Sequence, residues 1–487
     1  MQSVGAGPAT EPLVFQLSLP LVNPAGVTVI GGGRQTRALF EAEDKSVRSK
    51  WPATMGEILG PEGALLTLQG EEHRAMRRAM AGAISPGVIE APANWANLQR
   101  VVASNLDAWV GAAEGGEEPL DMLLSMRQMA FEVAVTQTLG TDAELSREKL
   151  VSLREDFDAI TEGLFVPKLS ERLGPLGELL ELILFPERDA ALKGRMRIDA
   201  ALSEHMCEVL ERARHGESVE GDGMAGRVAL AGMAEGVSDV SLPWMLGFAV
   251  NMLFGGVVTT AASLYRMTAE LAAMPEILEL LRADVAAAMP VAAARAREGA
   301  AIEEVVAAIE PAGVAASPLL NAVLLETLRY FPVVPFAFRE VIADDLVVGG
   351  HSVPKGHTAI LFFGGAINEE RPDGGVWDDA AVFDPRRWLP FLSEAMPGKS
   401  ISRNPKPFNG AFAPFGAGPR VCPGQSLALA ELSLHVAALA LCADWDVLPG
   451  RYGGDKVGQS PGEYSTRVMA TRNGLERFPF VVKRHCY

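Results

Sequence analysis

Cysteine is scarce in this chain. Four occur in 487 residues, Cys207, Cys422, Cys442 and Cys486, and no two form a C-x-x-C pair. That argues against a disulfide scaffold and fits a reducing compartment. Basic residues are also short, 43 Lys and Arg against 61 Asp and Glu, leaving a formal net charge of -18. A surface of that sign argues against a nucleic-acid partner, because phosphate binding needs cations, and it favours solubility. The N-terminus lacks a basic segment followed by an apolar run, and Gln16, Pro20 and Pro24 interrupt its apolar stretch. No signal peptide and no transmembrane anchor are expected, and the expected location is cytoplasmic. There is no internal repeat, and low complexity is confined to alanine-rich runs.

What is present points to a large core, since 48% of residues are hydrophobic and 21% charged. Residues 26–41, GVTVIGGGRQTRALFE, read as strand, glycine turn and helix. Thr36 stands where a dinucleotide fingerprint needs its third glycine, so an ordinary strand-to-helix turn is expected. From 71 to about 340 the periodicity is helical. Ser241 and Pro243 predict a helix start with a capping serine, and no charged residue follows before Arg266. Length alone would allow a membrane span. Asn251, Gly255, Gly256, Thr259 and Thr260 at its middle predict instead a buried central helix. Residues 341–364 read as short hairpins around GG and PKG turns. The long Gly-, Pro-, Asp- and Asn-rich stretch to about 425 is the kind of irregular region that usually carries function.

That stretch ends in PFGAGPRVCPG, residues 414–424. Cys422 lies among glycines and prolines just before a helix, whose positive end would favour a thiolate, a good metal ligand. Phe415, Gly418, Arg420, Cys422 and Gly424 match F-x-x-G-x-R-x-C-x-G, and Leu427, Ala428 and Glu431 continue the pattern. At this point the chain resembles the cytochrome P-450, or haem-thiolate, superfamily. The resemblance implies haem b with Cys422 as axial thiolate and metal ligand, with Phe415 and Gly424 in the same loop.

Further matches extend it from about residue 60 to the C-terminus. In LLETLRYFP, Glu326 and Arg329 stand three apart on one helix face. FDPRRW supplies Arg387, and the resemblance implies that these three form a buried charge network supporting the cysteine loop. GEEHRAMRR places His73 and Arg77 on one face. The family likeness makes these two, with Arg339 and Arg420, cations facing the haem propionates. The implied fold is mainly α with small β-sheets, one haem-thiolate domain over 1–487. It would be β-rich over about 1–60 and helical over about 70–340. Hairpins, a meander, the cysteine loop and a final helix would fill about 341–487.

In this family the central helix usually carries G-x-[D/E]-T-T across the distal face of the haem. Here the aligned residues are Gly256, Val257, Val258, Thr259 and Thr260. Thr259 matches the threonine that hydrogen-bonds to oxygen at the iron, but Val258 replaces the acid. A hydroxyl orders a water by donating one hydrogen bond, yet it does not replace a carboxylate as a proton relay. Four readings stay open. They are a monooxygenase with another relay, a hydroperoxide-rearranging or peroxide-driven enzyme, a reductase of a small nitrogen oxide, and a non-enzymatic haem sensor. With no flavin or nicotinamide domain in view, a monooxygenase needs a separate donor. Lys399, Arg403, Lys406 and Arg420 suggest a basic face for a ferredoxin or flavodoxin. Val257, Val333, Val334 and Phe336 are the candidate pocket lining, which implies an apolar small-molecule substrate. Gly and Pro breaks around 160–190 suggest a lid over its entrance.

Overall fold

The computed structural model describes residues 14–19, 23–31, 33–60, 65–116, 118–140, 145–166, 168–217, 220–237, 240–334, 336–362, 377, 379–380, 382–395, 412–447 and 479–485. Helices dominate, and three small sheets stand beside them. The largest sheet contains β1 (Val14–Leu19), β2 (Asn23–Gly31), β3 (Val47–Ser49), β5 (Phe336–Val341) and β8 (Thr358–Phe362). Its order is β1-β2-β8-β5-β3, with β2 and β8 parallel and the other pairs antiparallel. The second sheet joins β4 (Leu120–Asp121), β10 (Pro479–Arg484) and β9 (Ala443–Val447). The third is a hairpin of β6 (Val347–Val348) and β7 (His351–Ser352). In the first 60 residues, helix Gly33–Glu41 lies between β2 and β3, and helix Ala53–Leu59 follows β3. Both helices form because GRQTRALFE and ATMGEIL each carry enough apolar residues to bury one helical face.

The central helix, Leu242–Ala273, runs through the molecule. Pro243 occupies its first turn, but Ser241 makes no side-chain capping bond, so the proline starts this helix without the expected cap. Its N-terminal half, up to Val257, belongs to one hydrophobic cluster, with Phe131, Phe157, Leu202 and Val228. From Ala261 onward it belongs to another, with Leu281, Leu320 and Leu434. The join between the two cores falls at residues 258–260, the centre of the unusual glycine, valine and threonine run. The central helix and the helix Gln425–Cys442 are both long and apolar enough to cross a bilayer. Of their apolar windows, 67% and 78% are buried inside the protein, which is how core helices behave.

Above this core, helices Arg147–Gly163 and Pro186–Arg214 pack lengthwise. Gly194 is required there, since a Cβ would lie 2.6 Å from the carbonyl oxygen of Asp156. The helix between them, Pro175–Leu184, is turned inside out. Leu176, Leu179, Leu182 and Ile183 are 55–67% exposed, whereas Gly177 and Glu181 face inward. Glu181 tolerates burial because it accepts from the Ser170 N–H at 2.6 Å and from Arg188 at 2.8 Å.

Candidate functional site: the cysteine loop and its cations

The cysteine loop is held by its own backbone. The Cys422 N–H donates to the Phe415 carbonyl at 2.8 Å, and the Gly416 N–H donates to Ala413 at 2.9 Å. Gly418 has φ 65, and a Cβ there would lie 2.5 Å from the Phe40 carbonyl oxygen, so only glycine lets the loop sit on helix Gly33–Glu41. The Cys422 side chain is accessible. Protein atoms nevertheless crowd it on its other sides, and burial raises its thiol pKa. The Gly424 N–H and the Arg77 charge pull the other way without prevailing. The helix end by itself does not make the expected thiolate; a bound metal ion deprotonates a coordinating thiol outright. Phe415 and Gly424 are half-buried in the same loop.

Helix Gly70–Ala83 sorts its basic residues by face. His73 is buried and Arg77 half-buried, while Arg74 and Arg78 face solvent and pair with Glu71, Asp44 and Glu235. Arg77 Nη1 is buried and finds no hydrogen-bond partner in the protein. Burial lowers its pKa, opposed by Cys422. The His73 pKa is pulled down to about 3, first by burial and then by the charges of Arg420, Arg77, Arg74 and Arg339. It is therefore a neutral imidazole. Arg339 alternates with Ala337 and Val341 on the buried face of β5, an arginine where the pattern calls for an apolar residue. Burial lowers its pKa as well.

Arg339 and Arg420 share a partner that the sequence does not reveal. Glu43, 3% exposed, accepts from the Arg420 Nε at 2.9 Å and from the Ser49 N–H at 2.8 Å. Its other oxygen lies 2.8 Å from the Arg339 Nε, a close ion pair whose N–H is not aimed along a hydrogen bond. Arg420 also donates to Gln69 at 2.8 Å. These residues suit a dianionic cofactor with a thiolate-ligated metal. They combine an accessible cysteine, buried guanidinium groups with spare donors, and one orphaned Nη1.

Glu326, Arg329 and Arg387 come together as a saturated buried network. Arg329 donates to both oxygens of Glu326 at 2.8 Å, and Arg387 adds a third bond at 3.0 Å. Two members lie outside the sequence expectation. The Trp388 indole donates to Glu326 at 2.9 Å, and so does the Asp384 backbone N–H at 2.8 Å. Arg329 continues to the carbonyls of Ala380 and Val382, and Arg387 also reaches Val382. The network thus clamps the charged helix Pro318–Tyr330 to the chain leading toward the cysteine loop. All these groups are used on one another.

Along the central helix, Gly255 is exposed and Phe254, Gly256, Val258 and Thr259 are half-buried, although most of the helix on both sides is buried. This window opens where the two cores meet. Thr259 Oγ1 donates to the Gly255 carbonyl at 2.8 Å, so its proton is engaged by its own helix. Val257 does not share it. It is 1% exposed and packs into the first core cluster. Val334 is 39% exposed, Val333 is half-buried against the second cluster, and Phe336 packs on Phe362 with centroids 5.5 Å apart. A different cleft, bounded by Glu90, Val314, Asn321 and Ser433, contains none of these residues. Lys399, Arg403 and Lys406 lie outside the described residues. Arg420, the fourth member of that basic group, is engaged within the protein.

Two ionisable groups on the cysteine-loop helix are buried without charge partners. Burial pushes the Glu431 carboxyl well above the usual range, and its Oε1 has no partner. His435 meets Trp109 edge-on at 5.9 Å, and burial pulls its pKa down to about 3. Unfolded histidine takes a proton near pH 6.5 and folded His435 does not, so its contribution to stability is present above pH 6.5 and is lost as pH falls toward 3. Between pH 6 and 5, wild-type protein is expected to lose roughly 1 kcal/mol more stability than His435→Gln, by the linkage slope of one proton. Urea midpoints at the two pH values measure this, and parallel losses would contradict a neutral His435.

Fold and site together define a haem-thiolate enzyme. The chain belongs to the cytochrome P450 family, whose family model matches residues 22–456. Members of the family bind haem through a cysteine thiolate, act on small molecules as oxidoreductases of the monooxygenase type, and usually draw on a redox partner. Among curated relatives, cytochrome P450 26A1 of Xenopus laevis is 26% identical over 86% of this chain and 76% of its own length. Putative cytochrome P450 120 of Synechocystis is 26% identical over 87% of this chain and 82% of its own. Abscisic acid 8'-hydroxylase 2 of Oryza sativa subsp. indica is 26% identical over 87% and 73%. Among solved structures, the retinoic acid-bound cyanobacterial CYP120A1 superposes with a TM-score of 0.68 at 24% identity, covering 97% of this chain and 92% of that one.

Proposed function

We propose that this protein is a cytoplasmic monooxygenase that inserts one oxygen atom of O2 into an apolar organic substrate. In this reading Cys422 is the axial ligand, and Arg77, Arg339, Arg420 and His73 hold the propionates. The single observation that carries it is the opening at Gly255–Thr259, set where the two cores part, in a chain that also presents Cys422 accessibly. The haem, when bound, supplies the activation of oxygen. The protein supplies the rest. Gly255 and Gly256 leave the helix bare, so that a small molecule can approach its backbone. Val258, Val333, Val334 and Phe336 make the surroundings apolar and exclude water. Thr259 holds a proton at Oγ1, and by releasing the Gly255 carbonyl it can donate that proton into the opening. Electrons come from a separate ferredoxin- or flavodoxin-type protein.

The relatives named for abscisic acid 8'-hydroxylation, and the structure with retinoic acid, support an apolar carbon skeleton as substrate. Val258 favours a second reading, use of peroxide or of a substrate hydroperoxide, because a valine and not a carboxylate precedes Thr259 on the helix to relay protons. Val258→Glu separates the two. If O2 is the oxidant and proton delivery limits the rate, O2-dependent turnover should rise by about 10²-fold, the lower end of general acid catalysis. Turnover with donor plus oxygen is compared with turnover on peroxide or a lipid hydroperoxide. Wild-type activity on the peroxides alone would overturn the monooxygenase reading.

A further inference from the structure

Four guanidinium groups act on one buried imidazole, His73, which is itself neutral. Arg74 is exposed and paired with Glu71 and Asp44, which leaves Arg77, Arg339 and Arg420 as the cations inside the site. Haem b carries two carboxylates, so three fixed cations exceed what it can neutralise by one. In a site this buried, a surplus charge is costly unless something inside the protein answers it. Glu43 does so. It sits between Arg339 and Arg420, with its two oxygens 2.8 and 2.9 Å from their Nε atoms. The Ser49 N–H fixes the carboxylate from the backbone side. The Arg339 guanidinium is further held over the Phe40 ring at 5.4 Å and by the Phe338 carbonyl at 2.9 Å. Three positive groups and one negative leave a surplus of two, the charge of two propionates with opposite sign.

We propose that Glu43 is a positioning residue for the cofactor. It fixes the directions of Arg339 and Arg420 and trims the local charge to match a dianion. This rests on the haem reading above, and its consequence is electrostatic as well as structural. Removing one negative charge near the haem favours the form that has gained an electron, whereas a packing residue would leave the midpoint potential where it is.

The test uses full-length holoprotein, with the one-electron potential read against a redox dye and haem loss read by transfer to apomyoglobin. Glu43→Gln keeps the shape and removes the charge. It should raise the potential by about 59 mV, tenfold in the one-electron equilibrium, and should release haem faster. Glu43→Asp keeps the charge and should stay within about threefold of wild type, or some 28 mV on the same scale. The double variant Glu43→Gln with Arg420→Gln restores a surplus of two and should bring the potential back toward wild type. Should Glu43→Gln alone fail to fold, recovery of folded, haem-containing protein in the double variant would support the proposal, and no recovery would overturn it. An unchanged potential in haem-loaded Glu43→Gln would overturn it too. Wild-type protein that takes up no haem, or shows no thiolate-type band with carbon monoxide, would instead sink the haem reading itself.

Discussion

Replacing Glu326 by alanine is expected to destabilise the folded protein by about 3–5 kcal/mol, the usual cost of removing one partner from a buried ion pair. The carboxylate is fully buried and accepts from Arg329, Arg387, Trp388 and the Asp384 N–H. Its removal strands a guanidinium with no exposure and orphans an indole N–H, each deprived of water as an alternative. Most of the penalty is that stranding, so Glu326→Gln should lose less: its amide oxygen still accepts while its NH2 meets other donors. Urea unfolding of the three proteins gives the ranking. The clamp also fixes the chain at Ala380 and Val382, so haem content per folded molecule should fall in Glu326→Ala. A loss of stability under about 1 kcal/mol, ordinary for a surface substitution, would show that the network is not the clamp described.

The second large effect concerns Cys422. Cys422→Ser should leave the unfolding midpoint nearly unchanged, because this side chain is accessible rather than part of the core. It should abolish the thiolate-type Soret band of the reduced carbon monoxide complex. Turnover should fall by at least about 100-fold, the upper end of what is lost even for outer-shell partners of metal ligands. Some haem should remain bound, because the cations at Arg77, Arg339 and Arg420 are untouched. A thiolate-type band that survives this substitution would remove Cys422 from the metal and leave the proposed chemistry without its ligand.

Why some of this was legible and some was not follows from how far apart the interacting residues lie. The cysteine loop is ten residues long, and its bonds run from the Cys422 N–H to Phe415 and from the Ala428 N–H to Gly424. Local geometry therefore fixes the spacing that made it recognisable. Glu326 and Arg329 are one helical turn apart, for the same reason. Glu43 meets Arg339 and Arg420 across roughly 300 or more residues, and nothing in AEDKS marks it as buried. The phase of the central helix was hidden too: Val257 and Val258 are chemically identical, so only packing shows that one faces the core and the other the opening. Ser241 shows the reverse failure, a residue of the right type at the right place that makes no cap. The two short helices among and after the strands of the first 60 residues were obscured because they share the apolar content of those strands.

Gly194 has a mechanical consequence. At that crossing the two long helices over the core touch backbone to backbone, with no side chain between them to act as a bearing. Neither can slide along or roll over the other without collision. Any displacement of Arg147–Gly163 should therefore carry Pro186–Arg214 with it as one stiff unit.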